Sequence, residues 1–181
     1  MQSIKTRLLQ LPDRRSAFEH IKVFELLFAN QCLSSAVLTG GASATVTTGA
    51  AFNAMVGGQM VGKATGVSLA ALGGPNVPNT ATPFQLWIIT MDAAGNTYSY
   101  PSTPAATLAG LAIPTIPATV PAGVTGAPAT AAGSAQIVIG TITMNNGSVG
   151  TFIPGTTLLN VASLGIVYNN TIGPFFPIPP L

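Results

Sequence analysis

Charge is what this sequence has least of. Only 6% of its 181 residues are Asp, Glu, Lys or Arg, against about 25% in an ordinary soluble domain. The few charges are also unevenly spread. Lys5, Arg7, Asp13, Arg14, Arg15, Glu19, Lys22 and Glu25 all lie near the N-terminus, as does the one histidine, His20. From Gln31 to Leu181 the charged side chains are Lys63 and Asp92 alone. Metal sites are built from clustered Cys, His and carboxylates, so this composition predicts no metal and no cofactor. Glycoside hydrolysis by paired carboxylates and a Ser–His–Asp triad lack their residues in the same way. The sequence therefore reads as that of a protein that is not an enzyme, with no catalytic residue to nominate.

Other absences narrow the class further. Cys32 is alone, which excludes an intrachain disulfide and leaves the redox compartment open. A pI near 9.0 rests on a net charge of only +2, with no basic stripe of the kind nucleic-acid binding requires. A membrane-spanning helix needs about 20 mostly apolar residues in a row. The best window, residues 23–38, is interrupted by Glu25, Asn30, Gln31, Ser34 and Ser35. A secretory signal would be broken by Asp13, Arg14, Arg15, Glu19 and Lys22. The expectation is a protein without a targeting segment, nucleic-acid partner or membrane span.

What is present divides the chain in two, an N-terminal arm over residues 1–35 and a body over 36–181. In the arm, Ser16-Ala17-Phe18-Glu19 fits a capping box, and Ala17, Ile21, Phe24 and Phe28 recur at helical spacing. The pattern predicts an amphipathic helix over about residues 14–29. Its Phe-rich face must dock on its own domain, on a neighbouring subunit or on a membrane surface, and Phe18, Ile21, Phe24 and Phe28 are its partner-contact candidates.

The body reads as short β-prone runs between turn signals. Strands are predicted at residues 44–48, 51–56, 59–61, 84–91, 97–100, 136–144, 148–153, 158–162 and 165–168. Gly57-Gly58, residues 92–96 and Asn145-Asn146-Gly147 supply turns, the last through the tolerance of Asn-Gly for positive φ. About eight strands of this kind predict a mainly β fold, an antiparallel β-sandwich or jelly roll. Residues 73–83 read as an ordered loop. Residues 101–133, rich in Ala and Pro but uncharged, read as extended chain laid on apolar surface around Ile113-Pro114-Thr115-Ile116-Pro117. The tail Phe175-Phe176-Pro177-Ile178-Pro179-Pro180 is similar, and exposed Phe175 and Phe176 would be a liability unless docked.

Several motif matches carry less than their form suggests. Residues 57–63, Gly-Gly-Gln-Met-Val-Gly-Lys, fit the first part of a phosphate-binding loop, but Ala64 stands where Mg²⁺ coordination needs Ser or Thr. Lys63 and Asp92 then form a salt bridge or mark exposed turns. The sequons at Asn146 and Asn169 read as turns. His20 reads as a polar-face helix residue and Cys32 as a small buried one. Trp87, Tyr98, Tyr100 and Tyr168 could make a sugar-binding platform, but core packing accounts for them better.

A body with so little charge must be wetted by Thr, Ser, Asn, Gln and Gly, and gains little colloidal repulsion. Such surfaces suit permanent assembly, where contact requires little desolvation of ions. The phrases Met60-Val61-Gly62-Lys63-Ala64, residues 89–95, Ile139-Gly140-Thr141-Ile142-Thr143-Met144 and Phe152-Ile153-Pro154-Gly155-Thr156-Thr157 together resemble small virion proteins of tailed bacteriophages. The likeness is to the capsid decoration or cement type, including head-fibre-like proteins. It implies a β-sandwich or jelly-roll body, commonly a homotrimer or other homo-oligomer, seated on the capsid surface and bridging subunits of the major capsid protein. It implies manufacture in the host cytoplasm and carries no catalytic residues. The alternative is a tail, baseplate or fibre component, with or without a glycan-binding role.

Overall fold

The computed structural model describes residues 29–40, 43–117, 119–121, 132–147 and 150–172. The predicted helix over 14–29 and the six partner-contact candidates, Phe18, Ile21, Phe24, Phe28, Phe175 and Phe176, lie outside the described residues, Ala29 of the helix excepted. Within them the protein is mainly β, with antiparallel pairing throughout.

The strands in chain order are β1 (Gln31–Cys32), β2 (Leu38–Gly40), β3 (Thr45–Thr48), β4 (Phe52–Val56), β5 (Gln59–Lys63), β6 (Ser68–Ala71) and β7 (Val77–Pro78). They continue with β8 (Phe84–Asp92), β9 (Thr97–Pro101), β10 (Gln136–Asn146), β11 (Thr151–Phe152) and β12 (Leu164–Asn170), with one 3-10 turn at Leu108–Gly110. The largest sheet has the order β12-β10-β8-β9; smaller ones run β1-β4-β5, β2-β3-β6 and β11-β7.

Alternation makes the core. In β4, Phe52, Ala54 and Val56 point inward while Asn53 is exposed. Trp87, Ile89 and Met91 from β8 and Ile137, Ile139, Ile142 and Met144 from β10 line one face of the large sheet. They share a single buried cluster with Cys32, Leu38, Val46, Phe52, Leu72, Val77 and Phe152 from the smaller sheets and their connections. The Trp87 ring meets Phe152 edge-on with centroids 5.9 Å apart, and its indole N–H donates to the Gly73 carbonyl at 2.8 Å.

Inward residues of β10 switch from odd to even numbers along the strand, and a bulge makes the switch possible. The register with β8 shifts between Val138 and Gly140, leaving Ile139 as the extra residue, so apolar side chains face the core on both sides of it. Gly140 is required there by contact: a Cβ would lie 2.5 Å from Leu38 Cδ1 and 2.6 Å from the Asn169 carbonyl oxygen.

Some expectations need correction. Asn145-Asn146-Gly147 is not a hairpin turn. Asn145 and Asn146 belong to β10, paired with Gly165 and Leu164. The Asn146 amide is fully buried and donates to the Val77 and Gly150 carbonyls at 2.7 and 3.0 Å. The predicted return strand shrinks to β11, which pairs with β7 instead of β10. Residues 158–162 form turns rather than a strand. Asn169, read as a turn sequon, lies within β12. In the Pro-rich stretch Ile113 is 71% exposed; the apolar contact is made further on, by Val120.

Candidate functional site

The phosphate-loop match dissolves in the fold. Gly57 and Gly58 have φ of +58° and +78°, the pair of positive values that a two-residue hairpin needs, and they join β4 to β5. Lys63 ends an edge strand, and the segment that would have been the following helix contains β6. Ala29 and Asn30 pin the hairpin, accepting from the Gly58 and Gly57 N–H at 3.0 and 2.8 Å.

Asp92 forms no bridge to Lys63. It is fully buried at the end of β8, where its carboxylate organises the turn into β9. Oδ1 accepts from the backbone N–H of Ala94 at 2.9 Å and of Asn96 at 2.8 Å. Oδ2 accepts from Asn96 Nδ2 at 2.9 Å and the Tyr98 hydroxyl at 2.6 Å. Burial pushes the carboxyl pKa up, but the hydrogen bonds from Tyr98, Asn96 and Ala94 outweigh it and hold it below the ordinary value. The Tyr98 hydroxyl is driven far up, first by burial and then by its bond to the carboxylate. With its acceptor sites occupied, this carboxylate can hold a turn; nothing exposes it to a substrate.

A second polar group lies on the same outer face of the large sheet, where Asp92 stands opposite Gln136 and Thr90 opposite both Tyr98 and Val138. Gln136 Oε1 accepts from the Thr90 and Tyr100 hydroxyls, both at 2.9 Å. Its Nε2 donates to the Pro117 carbonyl at 2.7 Å. Val120 is buried against Tyr98 and Tyr100, and its N–H and C=O bond to Ser134 and Gly133, each at 2.8 Å. Pro117 and residues 119–121 thus form a strap on the outer face of the large sheet, held by Gln136 of β10 and by Tyr98 and Tyr100 of β9, the face on which Thr90 and Asp92 of β8 are buried.

The aromatic platform does not form. Trp87 and Tyr98 are fully buried, Tyr100 is half-buried with its hydroxyl bonded to Gln136, and Tyr168 packs against the core. Cys32 is buried, and that burial pushes its thiol up to about 11, so it is poorly nucleophilic at neutral pH. Among the described residues no group of three or more His, Cys, Asp or Glu converges. No helix among them is long and apolar enough to cross a membrane.

What remains on the described surface is almost uncharged. Among the described residues Lys63 carries the one charge outside the interior. Met60, Leu108, Ile113, Val167 and Ile172 are each more than half exposed. Sequence reasoning anticipated the shortage of charge and extended chain laid on apolar surface, but not the contacts of Gln136 and Val120, which join distant segments. No protein-family model, curated protein or solved structure matches the chain.

Proposed function

We propose that this chain is a structural virion protein that decorates or cements a tailed-bacteriophage capsid by bridging subunits of the major capsid protein. In this reading its sheets form a β-sandwich or jelly-roll body, and it acts on the capsid surface as a homotrimer or other homo-oligomer. The observation that carries the reading is the near-absence of charge from the body's surface, Asp92 being buried and Lys63 standing alone. Such a surface packs against a protein lattice without stripping water from ions. The likeness of its β-turn phrases to decoration proteins supports the same reading. The N-terminal arm, which holds most of the charge and a Phe-rich apolar pattern, and the Phe175-Phe176 tail are the proposed anchors.

For the runner-up, a tail, baseplate or fibre component, burial of Trp87 and Tyr98 removes two of the aromatics that a glycan-binding platform would use. Fractionating virions that encode the chain into heads and tails, then blotting each for it, separates the two. Heads support the decoration role, and tails the alternative. Absence from both overturns a virion role altogether.

A further inference from the structure

The four-stranded sheet has two edges that are treated differently. On β9, Thr97 Oγ1 accepts from the Ala70 N–H at 2.8 Å and Ser99 Oγ from the Gly73 N–H at 3.0 Å. The Ser99 hydroxyl also donates to the Ala71 carbonyl at 3.0 Å, so β6 and the residues after it close that edge. On β12, the Thr171 N–H donates to the Ile139 carbonyl, which fixes the phase of the ladder. By the alternation of antiparallel pairs, residues 165, 167 and 169 bond to β10, while the backbone groups of Ile166, Tyr168 and Asn170 point away from it. The Leu164 N–H, in the same outward phase, is taken by Val161. Beyond it no backbone–backbone hydrogen bond among the described residues uses this edge; β2 approaches its far end, where the Leu38 N–H donates to the Asn170 side-chain oxygen at 2.7 Å.

Natural edges of this length are blunted by Lys, Pro, bulges or covering chain. Leu164–Asn170, seven residues reading Leu-Gly-Ile-Val-Tyr-Asn-Asn, has no charge and no proline, and pairs with β10 without a shift of register. The edge of β5, by contrast, carries Lys63. Two occupants within the chain fit β12 poorly. Residues 173–181 contain Pro174, Pro177, Pro179 and Pro180, which lack the N–H a ladder requires. Residues 1–28 hold eight of the ten charged side chains, and no described charge near β12 answers them. The occupant whose chemistry matches is another neutral strand edge with the same spacing of donors and acceptors.

We infer that β12 pairs antiparallel with β12 of a second copy about a two-fold axis at Val167, joining two four-stranded sheets into one. This register sets Ile166 opposite Tyr168 of the partner subunit and Tyr168 opposite its Ile166, with roughly four backbone hydrogen bonds. Val167, 55% exposed, meets its own counterpart in a non-hydrogen-bonded pair, where side chains approach closest. One strand pair falls short of the about 1,000 Å² expected of a stable interface. The dimer is therefore concentration-dependent in solution and is favoured where copies are held close together. The pairing rests on the strand edge and stands whether or not the capsid reading does.

The test is disulfide trapping in the full-length chain, since Cys32 is buried and contributes little background. Val167→Cys should cross-link to a dimer under mild oxidation about tenfold or more faster than Met60→Cys, an exposed control on β5. Val167→Lys and Val167→Glu should each sediment as monomers with an unchanged circular dichroism spectrum, and dimerise when mixed. Equal trapping rates for the two cysteine variants would overturn the inference, as would self-association of Val167→Lys equal to that of the unsubstituted protein.

Discussion

Asp92→Asn tests the idea that the body's one buried charge is there to hold a turn. The substitution keeps shape and volume but alters what the side chain can accept. The new side chain would still accept from the N–H groups of Ala94 and Asn96 through its oxygen. Its amide nitrogen would replace Oδ2, which now receives the Tyr98 hydroxyl at 2.6 Å and Asn96 Nδ2 at 2.9 Å. The Tyr98 hydroxyl can rotate and accept, but the Asn96 amide is left facing another donor. One charge-assisted bond is lost and the others weaken to neutral ones, a cost of about 3 kcal/mol at pH 7. For a chain of this size that lowers the melting temperature by about 10 °C. The pH dependence has a definite sign. The folded carboxyl pKa lies below its unfolded value, so its stabilisation is complete above the unfolded value of about 3.9. It is lost as pH falls through the folded value. The stability gap between the unsubstituted protein and the Asp92→Asn variant in urea denaturation should therefore be widest at neutral pH and narrow below about pH 4. A gap under about 0.5 kcal/mol at pH 7, or one that widens in acid, would refute the reasoning.

Three further outcomes follow from the packing. Gly140→Ala should cost about 1–3 kcal/mol in urea denaturation, because its Cβ meets the Asn169 carbonyl at 2.6 Å, and backbone yields less readily than a side chain. Val37→Gly should raise stability by about 0.5–1 kcal/mol, since Val37 holds a φ of +46° that costs an L-residue about 1–2 kcal/mol, partly offset by the entropy of glycine. Gln136→Leu removes the bond to the Pro117 carbonyl and the acceptor for Thr90 and Tyr100. Hydrogen exchange at the Val120 N–H should then accelerate about tenfold or more relative to β8, corresponding to at least about 1.4 kcal/mol of local opening.

The legible parts of the fold were those fixed by neighbouring residues. Gly57-Gly58 announces the β4–β5 hairpin because only positive φ at both positions lets so short a loop match the strand twist. Residues 92–96 announce the β8–β9 hairpin, and the long apolar, β-prone runs announce β8 and β10. What failed depended on distant partners. Asn146 reads as a turn residue, yet its amide is used inside the protein to tie β10 to β7 and the residues before β11. Leu164–Asn170 is claimed by β10 in place of the predicted return strand. The two- and three-residue strands β1, β2 and β7 are too short to show a period. The strap was half legible: extended, uncharged chain was expected on apolar surface, but the contact is made by Val120 and Gln136 rather than by Ile113. For function, composition limited the choices more than any motif did, and the pairing edge of β12 emerged only once the strand order was known.

Binding of this sparsely charged body to a capsid lattice, as the proposed decoration role requires, is tested most directly by cosedimentation with expanded, undecorated heads. Full-length protein should saturate the heads at a fixed ratio to the major capsid protein. A form lacking residues 1–28, which retains the Ala29 and Asn30 bonds to the β4–β5 hairpin, shows whether the arm is the anchor. Saturable binding by the full-length chain is the predicted result, and its loss on truncation assigns the anchor to the arm. Failure of the full-length chain to pellet with heads, at concentrations where its own assembly is established, would contradict the account.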